Sequence, residues 1–326
     1  MKIIVTGAAG YIGSVVTEIL IAQGHSIVAL DNLTHGNRSA VHPDAKFVLL
    51  DLLDTDGLMR LFAEEAVDAV VHLAAEALID ESLRDPGRFF RANVTGGINL
   101  LEAMVHNGVK RIVFSSTAAV YGQPREIPIR EDAPKDPVNS YGESKLAFER
   151  ILAWYRLSYD LRHVSLRYFN AAGASGRFGE FHIMETHLIP IVFEAALGKR
   201  EGMKLFGTDW DTIDGTCVRD YVHVVDIARA HILALENIDV LGARAYNLGN
   251  GSGYSNRQVI ETVEKVTGRS VHVISADRRP GDPAVLIASS ELIRKELGWA
   301  PEYPDLNTII GTAWDWRQKH ANGYEG

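Results

Sequence analysis

The chain has 326 residues, enough for one large α/β domain or two smaller ones, and its 46% hydrophobic content supports a sizeable core and excludes disorder. A formal net charge of −9 excludes a general nucleic-acid or membrane-surface binder, which needs a basic face, but leaves room for a few arginines around a small anion. The single cysteine, Cys217, excludes an internal disulfide and a cysteine-rich zinc site.

That cysteine usage fits a reducing cytoplasm, and no uncharged apolar run is long enough to cross a membrane. The chain opens directly into an apolar strand, so no signal peptide is expected. The 12 histidines show no H-E-x-x-H or similar ligand spacing, so no metal is expected.

Residues 2–6 read as a fully buried strand ending in a glycine turn, Gly7-Ala8-Ala9-Gly10-Tyr11-Ile12-Gly13. Residues 12–23 have helical periodicity, and Gly24 stops it. Strand, turn and helix together suit a dinucleotide pyrophosphate. Gly7 allows the tight turn, Gly10 lets phosphate approach the backbone, and Gly13 lets helix and strand pack closely, with the helix N-terminus facing the negative charge.

Residues 26–30 are the second strand, ending at Asp31, 18 residues after Gly13. A carboxylate there accepts from a ribose 2′-hydroxyl and repels a 2′-phosphate, which favours NAD over NADP. Residues 46–50 form a third strand ending at Asp51, a partner for the adenine amino group. Residues 68–73 form a fourth, followed by the small residues Ala74 and Ala75 that let a cofactor approach. A long helix over 88–107 contains Asn93. The fifth strand, 111–115, leads to Thr117, just past a strand end where open α/β sheets bind ligands.

A charged, proline-containing loop over 124–137 can lie over the site. The next stretch is Tyr141-Gly142-Glu143-Ser144-Lys145, at the start of a helix over 141–159. Residues four apart on a helix share a face. A nearby ammonium favours a phenolate, so the pair makes a tyrosine able to take a proton from an alcohol and return it. The same helix carries Leu146, Phe148, Ile151, Leu152, Trp154, Tyr155 and Leu157, more apolar surface than one buried face requires. It is expected to pack on the sheet on one side and on a second copy of the chain on the other.

Residues 163–168 are a sixth strand, and the alternation to this point predicts a parallel, doubly wound α/β sheet of the Rossmann type. After Asn170 the texture changes. A glycine-rich stretch covers 171–179, a helix 186–197, and a polar loop 207–216. Residues 219–223 lead into a helix ending near 235, residues 245–248 form a strand, and helices cover 256–267 and 289–297. This half reads as a smaller mixed α/β lobe that shapes a substrate pocket. The expected division is a cofactor domain over 1–170, rejoined by about 221–249, and a substrate lobe over 171–326.

The glycine turn, Asp31, Thr117, Tyr141 and Lys145 follow the order of the extended short-chain dehydrogenase/reductase superfamily. The turn with Thr6, together with Arg167-Tyr168-Phe169-Asn170, Val218-Arg219-Asp220-Tyr221-Val222-His223-Val224 and Tyr246-Asn247-Leu248-Gly249, resembles the UDP-glucose 4-epimerase family over nearly the whole chain. The resemblance implies inversion at C4 of a UDP-sugar through a 4-keto intermediate, with bound NAD, in a homodimer. Tyr141 would be the base, Lys145 its partner, and Thr117 the hydroxyl that bonds the sugar, in place of the usual serine.

The resemblance further implies cofactor contacts from Gly7, Gly10, Tyr11, Ile12, Gly13, Asp31, Asn32, Asp51, Leu52, Leu73, Ala74, Ala75, Asn93, Ser115, Tyr141, Lys145 and Tyr168. It implies substrate contacts from Asn170, His187, Leu188, Leu205, Phe206, Arg219, Arg279, Asp282 and Leu286, besides Thr117 and Tyr141. Two arginines suit a diphosphate because each donates in a fork.

Two departures stand out. The lysine often found after the fourth strand is absent at Glu76 and Ala77, and His187 occupies a position where asparagine is usual. Related dehydratases carry acids directly after the threonine; here those positions are Ala118 and Ala119, which also argues against the related decarboxylases. The remaining alternatives are an epimerase for an N-acetylhexosamine, pentose or uronate, an NAD-dependent nucleotide-sugar dehydrogenase or reductase, and a non-catalytic NAD sensor. The last has no need of Thr117, Tyr141 and Lys145 together.

Overall fold

A computed structural model describes residues 1–182, 184–279 and 282–324. Of the expected motif at 278–282, Pro280 and Gly281 lie outside the described residues.

In chain order the first half contains β1 (Lys2–Thr6), α1 (Tyr11–Ala22), β2 (Ser26–Asp31), β3 (Lys46–Leu49), α2 (Thr55–Glu64), β4 (Ala69–His72), α3 (Ile79–Ser82) and α4 (Pro86–Phe90). A π turn (Arg91–Thr95) joins α4 to α5 (Gly96–His106). Then come β5 (Arg111–Thr117), a 3₁₀ turn (Ala118–Tyr121), α6 (Ser140–Tyr159) and β6 (Arg162–Tyr168).

The second half contains β7 (Asn170–Ala172), α7 (Leu188–Ala196), β8 (Met203–Phe206), β9 (Val218–His223), α8 (Val224–Leu241) and β10 (Ala243–Leu248). It continues through β11 (Gly253–Ser255), α9 (Asn256–Thr267), β12 (Val273–Ala276), β13 (Val285–Leu286), α10 (Glu291–Leu297) and α11 (Leu306–Lys319).

Among the described residues, seven strands form one sheet in the order β10-β6-β5-β4-β1-β2-β3, every neighbouring pair parallel. Successive strand residues point to opposite faces. On β1, Ile3 and Val5 join a core under α1 and α8, whereas Ile4 joins a core under α2, α5 and α6. Both faces are therefore covered, which is why these strands are apolar runs without alternation. This is the doubly wound α/β architecture that the strand–helix alternation predicts. The remaining strands build a smaller body, with β9 between β11 and β13 and also paired to β7, and with β12 beside β8. Its core gathers Val192, Phe193, Val259, Val263, Ile309 and Trp314.

Several boundaries differ from the expectations. The helix expected over 88–107 begins at Pro86 with Asp85 as its cap, and is interrupted by the π turn that carries Asn93. The helix expected to end near residue 235 continues to Leu241, because Ile238 still packs in the core. The helices α2 and α11 were not anticipated. No helix among the described residues is long and apolar enough to cross a membrane.

Candidate functional site

The sheet's strand order reverses direction at β1, with β2 on one side and β4 on the other. Open α/β sheets bind ligands at the carboxyl ends of the strands beside such a point. A groove of about 500 Å³ lies there. Its walls include the Gly7–Tyr11 turn after β1, Asp31 and Asn32 after β2, Asp51 and Leu52 after β3, and Leu73, Ala74 and Ala75 after β4.

No side chain caps the N-terminus of α1, so its first amide groups are left to a ligand. A Cβ at Gly13 would lie 2.0 Å from the Gly7 carbonyl oxygen, so only glycine lets α1 start this close to β1. The buried Asp31 carboxylate accepts from Ala9 N at 3.0 Å and Leu33 N at 2.8 Å, which fixes it at the groove wall. Burial raises its pKa, and those bonds hold the rise down. Asn32 donates to Asp51 at 2.8 Å. An uncapped helix start, a glycine cradle and an anchored carboxylate fit the pyrophosphate and ribose of NAD. Asp31→Ala is expected to weaken NAD binding about 10- to 100-fold, the loss of charged hydrogen bonds worth about 1.5–3 kcal/mol, and to narrow its margin over NADP. Titration calorimetry with both dinucleotides measures this, and an unchanged NAD affinity would displace Asp31 from the ribose.

The catalytic candidates gather at the neighbouring strand end. Thr117 closes β5, and its hydroxyl lies near enough to the Tyr141 phenol to favour the phenolate. Asn139 caps α6 by accepting from Gly142 N at 2.8 Å. A Cβ at Gly142 would lie 2.6 Å from the Ala119 carbonyl oxygen, so glycine lets the first turn of α6 settle against the 3₁₀ turn and brings Tyr141 to Thr117. Lys145, one turn on, is buried and donates to the Ser115 carbonyl at 2.8 Å, with its ammonium 4.9 Å from the Phe114 ring centre.

The expectation that Lys145 lowers the Tyr141 pKa is not met. Burial raises the phenol, with the Thr117 hydroxyl opposing, and burial pulls Lys145 down to about 7 with Glu149 opposing. Desolvation disfavours both charged forms, and the ammonium is directed at a carbonyl instead of the phenol.

Other expected cofactor residues play indirect parts. Asn93 does not line the groove. Its amide donates to the Glu76 carbonyl at 3.0 Å and to Ser144 at 2.9 Å and accepts from Glu76 N at 2.8 Å, tying the strand end to α6. The Ser115 hydroxyl is bonded to the Tyr168 phenol. Tyr11 donates across to the Gly173 carbonyl at 2.6 Å. Ile12 packs in the core beside α8.

The substrate candidates cluster on the smaller body. Arg219 lies on β9, paired in register with Leu286 on β13, and approaches Asp282 at 3.9 Å. The Arg279 guanidinium stacks 4.1 Å from the centre of the Phe206 ring at the end of β8. Asn170 begins β7, and His187 precedes Leu188 at the start of α7. Leu205 is a correction: its side chain is buried in the smaller core, so only its main chain can meet a ligand. Leu286 packs with Val120, Tyr121, Ile129 and Leu146 beside the catalytic strand end.

Several groove residues escaped the sequence reading. Glu76 accepts from His35 at 2.9 Å and from Arg88 at 2.5 Å, and Arg88 also donates to Glu81 at 2.8 Å. Burial alone would raise Glu76, but these two partners win and lower it to about 2. A cation does stand where the expected lysine is missing, but it arrives on Arg88 and is already matched by acids. Phe181, His182, Met184 and Tyr324 also line the groove. His187 faces Glu180 at 2.8 Å and Glu185 at 3.2 Å. Burial would lower its pKa, and the two carboxylates instead raise it to about 10.

Comparison with known proteins agrees with this geometry. The family model described as the NAD dependent epimerase/dehydratase family matches residues 3–249. The UDP-glucose 4-epimerase of Lacticaseibacillus casei is 49% identical over 327 residues, covering 99% of each chain. A solved UDP-glucose 4-epimerase is 45% identical with a TM-score of 0.97, covering 100% of both chains. The UDP-glucose 4-epimerase of Brucella ovis, solved in complex with NAD, is 44% identical with a TM-score of 0.94, covering 97% of this chain and 98% of that one.

Proposed function

The chain belongs to the NAD dependent epimerase/dehydratase family, and on that premise we propose that it inverts the C4 hydroxyl of a UDP-sugar, UDP-glucose and UDP-galactose foremost. The observation that carries the proposal is the placement of Tyr141 beside Thr117 with Lys145 one turn away on α6, at a strand end beside the dinucleotide groove. Across from it, Arg219 and the Arg279–Phe206 stack offer two cations and a ring to a nucleoside diphosphate.

NAD, when bound, supplies the hydride acceptor and donor. Tyr141 takes the proton from the sugar 4-hydroxyl, held there by Thr117, and Lys145 would favour the phenolate once its ammonium turns from the Ser115 carbonyl. The resulting 4-keto sugar turns in the pocket, and Tyr141 returns the proton to the opposite epimer. Ala118 and Ala119 offer no acid to expel water, so the reaction stops at inversion. Proton nuclear magnetic resonance of purified protein with UDP-galactose, without added cofactor, tests the reading. Conversion to UDP-glucose without net NADH supports it; stoichiometric NADH formation would indicate a dehydrogenase instead.

The first half with β10 and α8 serves as the cofactor domain and the remainder as the nucleotide-sugar lobe. The protein acts in the cytoplasm, with its one cysteine buried and unpaired. It works as a homodimer through the helices beginning near residues 88 and 141, which are the α4–α5 stretch and α6. Trp154 and Leu157 on α6 are 69% and 77% exposed, and Leu83 and Phe90 add apolar surface on the elements packed beside it. Sedimentation at micromolar concentration should give twice the chain mass, and a monomer would refute the assignment.

Leu286 sets the room for the sugar's 2-substituent. It sits between Arg219 and the cluster behind Thr117, with neither the ring nor the hydroxyl of a tyrosine. Turnover of N-acetylated UDP-hexoses is therefore expected in the wild type. Leu286→Tyr should lower kcat/KM for those substrates about 10- to 100-fold relative to the plain hexoses, as overpacking by about 1–3 kcal/mol dictates. A wild type inactive on N-acetyl sugars, or a ratio unmoved by the mutation, would remove Leu286 from the gate.

A further inference from the structure

The turn that leads into α7 brings together four side chains that the proposed reaction does not require as a group. We propose that Glu180, His182, Glu185 and His187 bind one first-row divalent cation, zinc being the best match to their donors. Each offers one ligand atom, and all four atoms lie within 4.8 Å of one another. Each histidine faces both carboxylates through Nδ1. His182 lies 3.7 Å from Glu180 and 3.3 Å from Glu185; His187 lies 2.8 Å and 3.2 Å from the same two. Ligands about 2.0–2.1 Å from a tetrahedral zinc ion stand about 3.3 Å apart, so this set needs only small shifts to close on a metal.

The chemistry of the four donors agrees. Two imidazole nitrogens and two carboxylate oxygens suit zinc or its neighbours, not calcium or magnesium, which prefer oxygen alone. The carboxylate side chains are 9% and 4% exposed for Glu180 and Glu185, so two acids sit side by side largely out of water. Metal binding displaces the proton that the two carboxylates favour on His187, and the dication then balances their charge in full. Glu185 is pre-oriented: one oxygen accepts from the backbone amides of Thr186 and His187 at 2.9 Å each, while the other faces His182. The spacing is E-x-H-x-x-E-x-H, which a search for H-E-x-x-H passes over.

The cluster's placement gives the metal a role. His182 and His187 line the dinucleotide groove, as does Tyr11 of the glycine turn. A bound cation ties the turn before α7 into a rigid rim against that groove. The role is positional, and neither the cation nor its ligands touch the Tyr141 proton.

The test uses the full chain with its dinucleotide, freed of metal by chelation and titrated with cobalt(II), then zinc chloride. The expected result is one equivalent of cobalt giving visible d–d bands of a four-coordinate site, bleached by one equivalent of zinc. His182→Gln and Glu180→Gln should each weaken zinc binding at least tenfold in calorimetry, while the exposed His106→Gln leaves it unchanged. Far-ultraviolet circular dichroism without metal checks each variant's fold, and if one fails to fold the other decides. Absence of the cobalt bands, or zinc affinity unmoved in a folded variant, reduces the cluster to a set of ion pairs and overturns the proposal.

Discussion

Tyr141→Phe is expected to leave the fold and NAD binding intact and to lower turnover about 10²- to 10⁴-fold, the range for loss of a positioned proton carrier. The substitution removes one oxygen beside Thr117, whose hydroxyl still accepts from Ala119 N at 3.1 Å. The companion Lys145→Met sharpens the test. It should also depress turnover, yet raise the stability of the cofactor-free protein. Burial lowers Lys145 from 10.5 to about 7, so the unfolded chain binds the proton more tightly than the folded one. Wild-type stability must then rise with pH between those two values, and Lys145→Met should abolish that rise. The penalty it relieves near neutral pH is of the order of a few kcal/mol. Thermal melts across that range, run beside turnover assays, report both quantities. Near-wild-type turnover in Tyr141→Phe, or an unchanged melting profile in Lys145→Met, would return the pair to an ordinary helix face.

Glu149→Ala is expected to destabilise the protein by about 3–5 kcal/mol, because it strands a buried guanidinium. Arg167 is 4% exposed, and Glu149 10%. Two bonds join them, Nε to Oε1 at 2.9 Å and Nη2 to Oε2 at 2.5 Å, and Ser116 adds a third bond to the carboxylate at 2.5 Å. On its other side Arg167 donates to Tyr121 at 2.8 Å, and Tyr121 donates to Asn247 at 2.7 Å. The network links α6, β5, β6 and β10 directly behind the strand end that carries Thr117. Burial would lower the guanidinium's pKa, and Glu149 keeps it well above its ordinary value. The double variant Glu149→Ala/Arg167→Met should recover much of the loss, since it leaves no unpaired charge. Urea denaturation of both proteins decides the matter, and a single-variant cost below about 1 kcal/mol would make the pair marginal.

The parts of this molecule that were legible in the sequence are those whose signal is local. The glycine turn, the strand ends at Asp31 and Thr117, and the one-turn spacing of Tyr141 and Lys145 each need only a few consecutive residues. The two unanticipated helices also carry local signals. Asp54 caps α2 and Asp305 caps α11, and buried Leu58, Leu61 and Phe62, or Leu306, Ile309 and Ile310, follow at helical spacing. Neither helix carries a chemical motif. The pairings were illegible for a different reason. His35 meets Glu76 across 41 residues, and Arg167 meets Glu149 across 18, so nothing in the local pattern announces either. Nor does a sequence show that the Lys145 ammonium turns to a carbonyl, or that Leu205 points into a core, since both follow from tertiary packing.

The edge strand β10 sits beside β6, with Ala243 opposite His163 and Leu248 opposite Tyr168, and α8 immediately precedes it in the chain. A growing polypeptide therefore cannot finish its nucleotide-binding half when residue 170 leaves the ribosome. Until residue 248 has emerged, β6 presents unpaired amides and carbonyls, and the α1 side of the sheet lacks Ile227, Ile232 and Leu235 of α8. At synthesis rates of about 5–20 residues per second, that open interval lasts several seconds. During those seconds the half-made chain exposes an unpaired strand edge and an uncovered apolar face that the finished fold no longer shows.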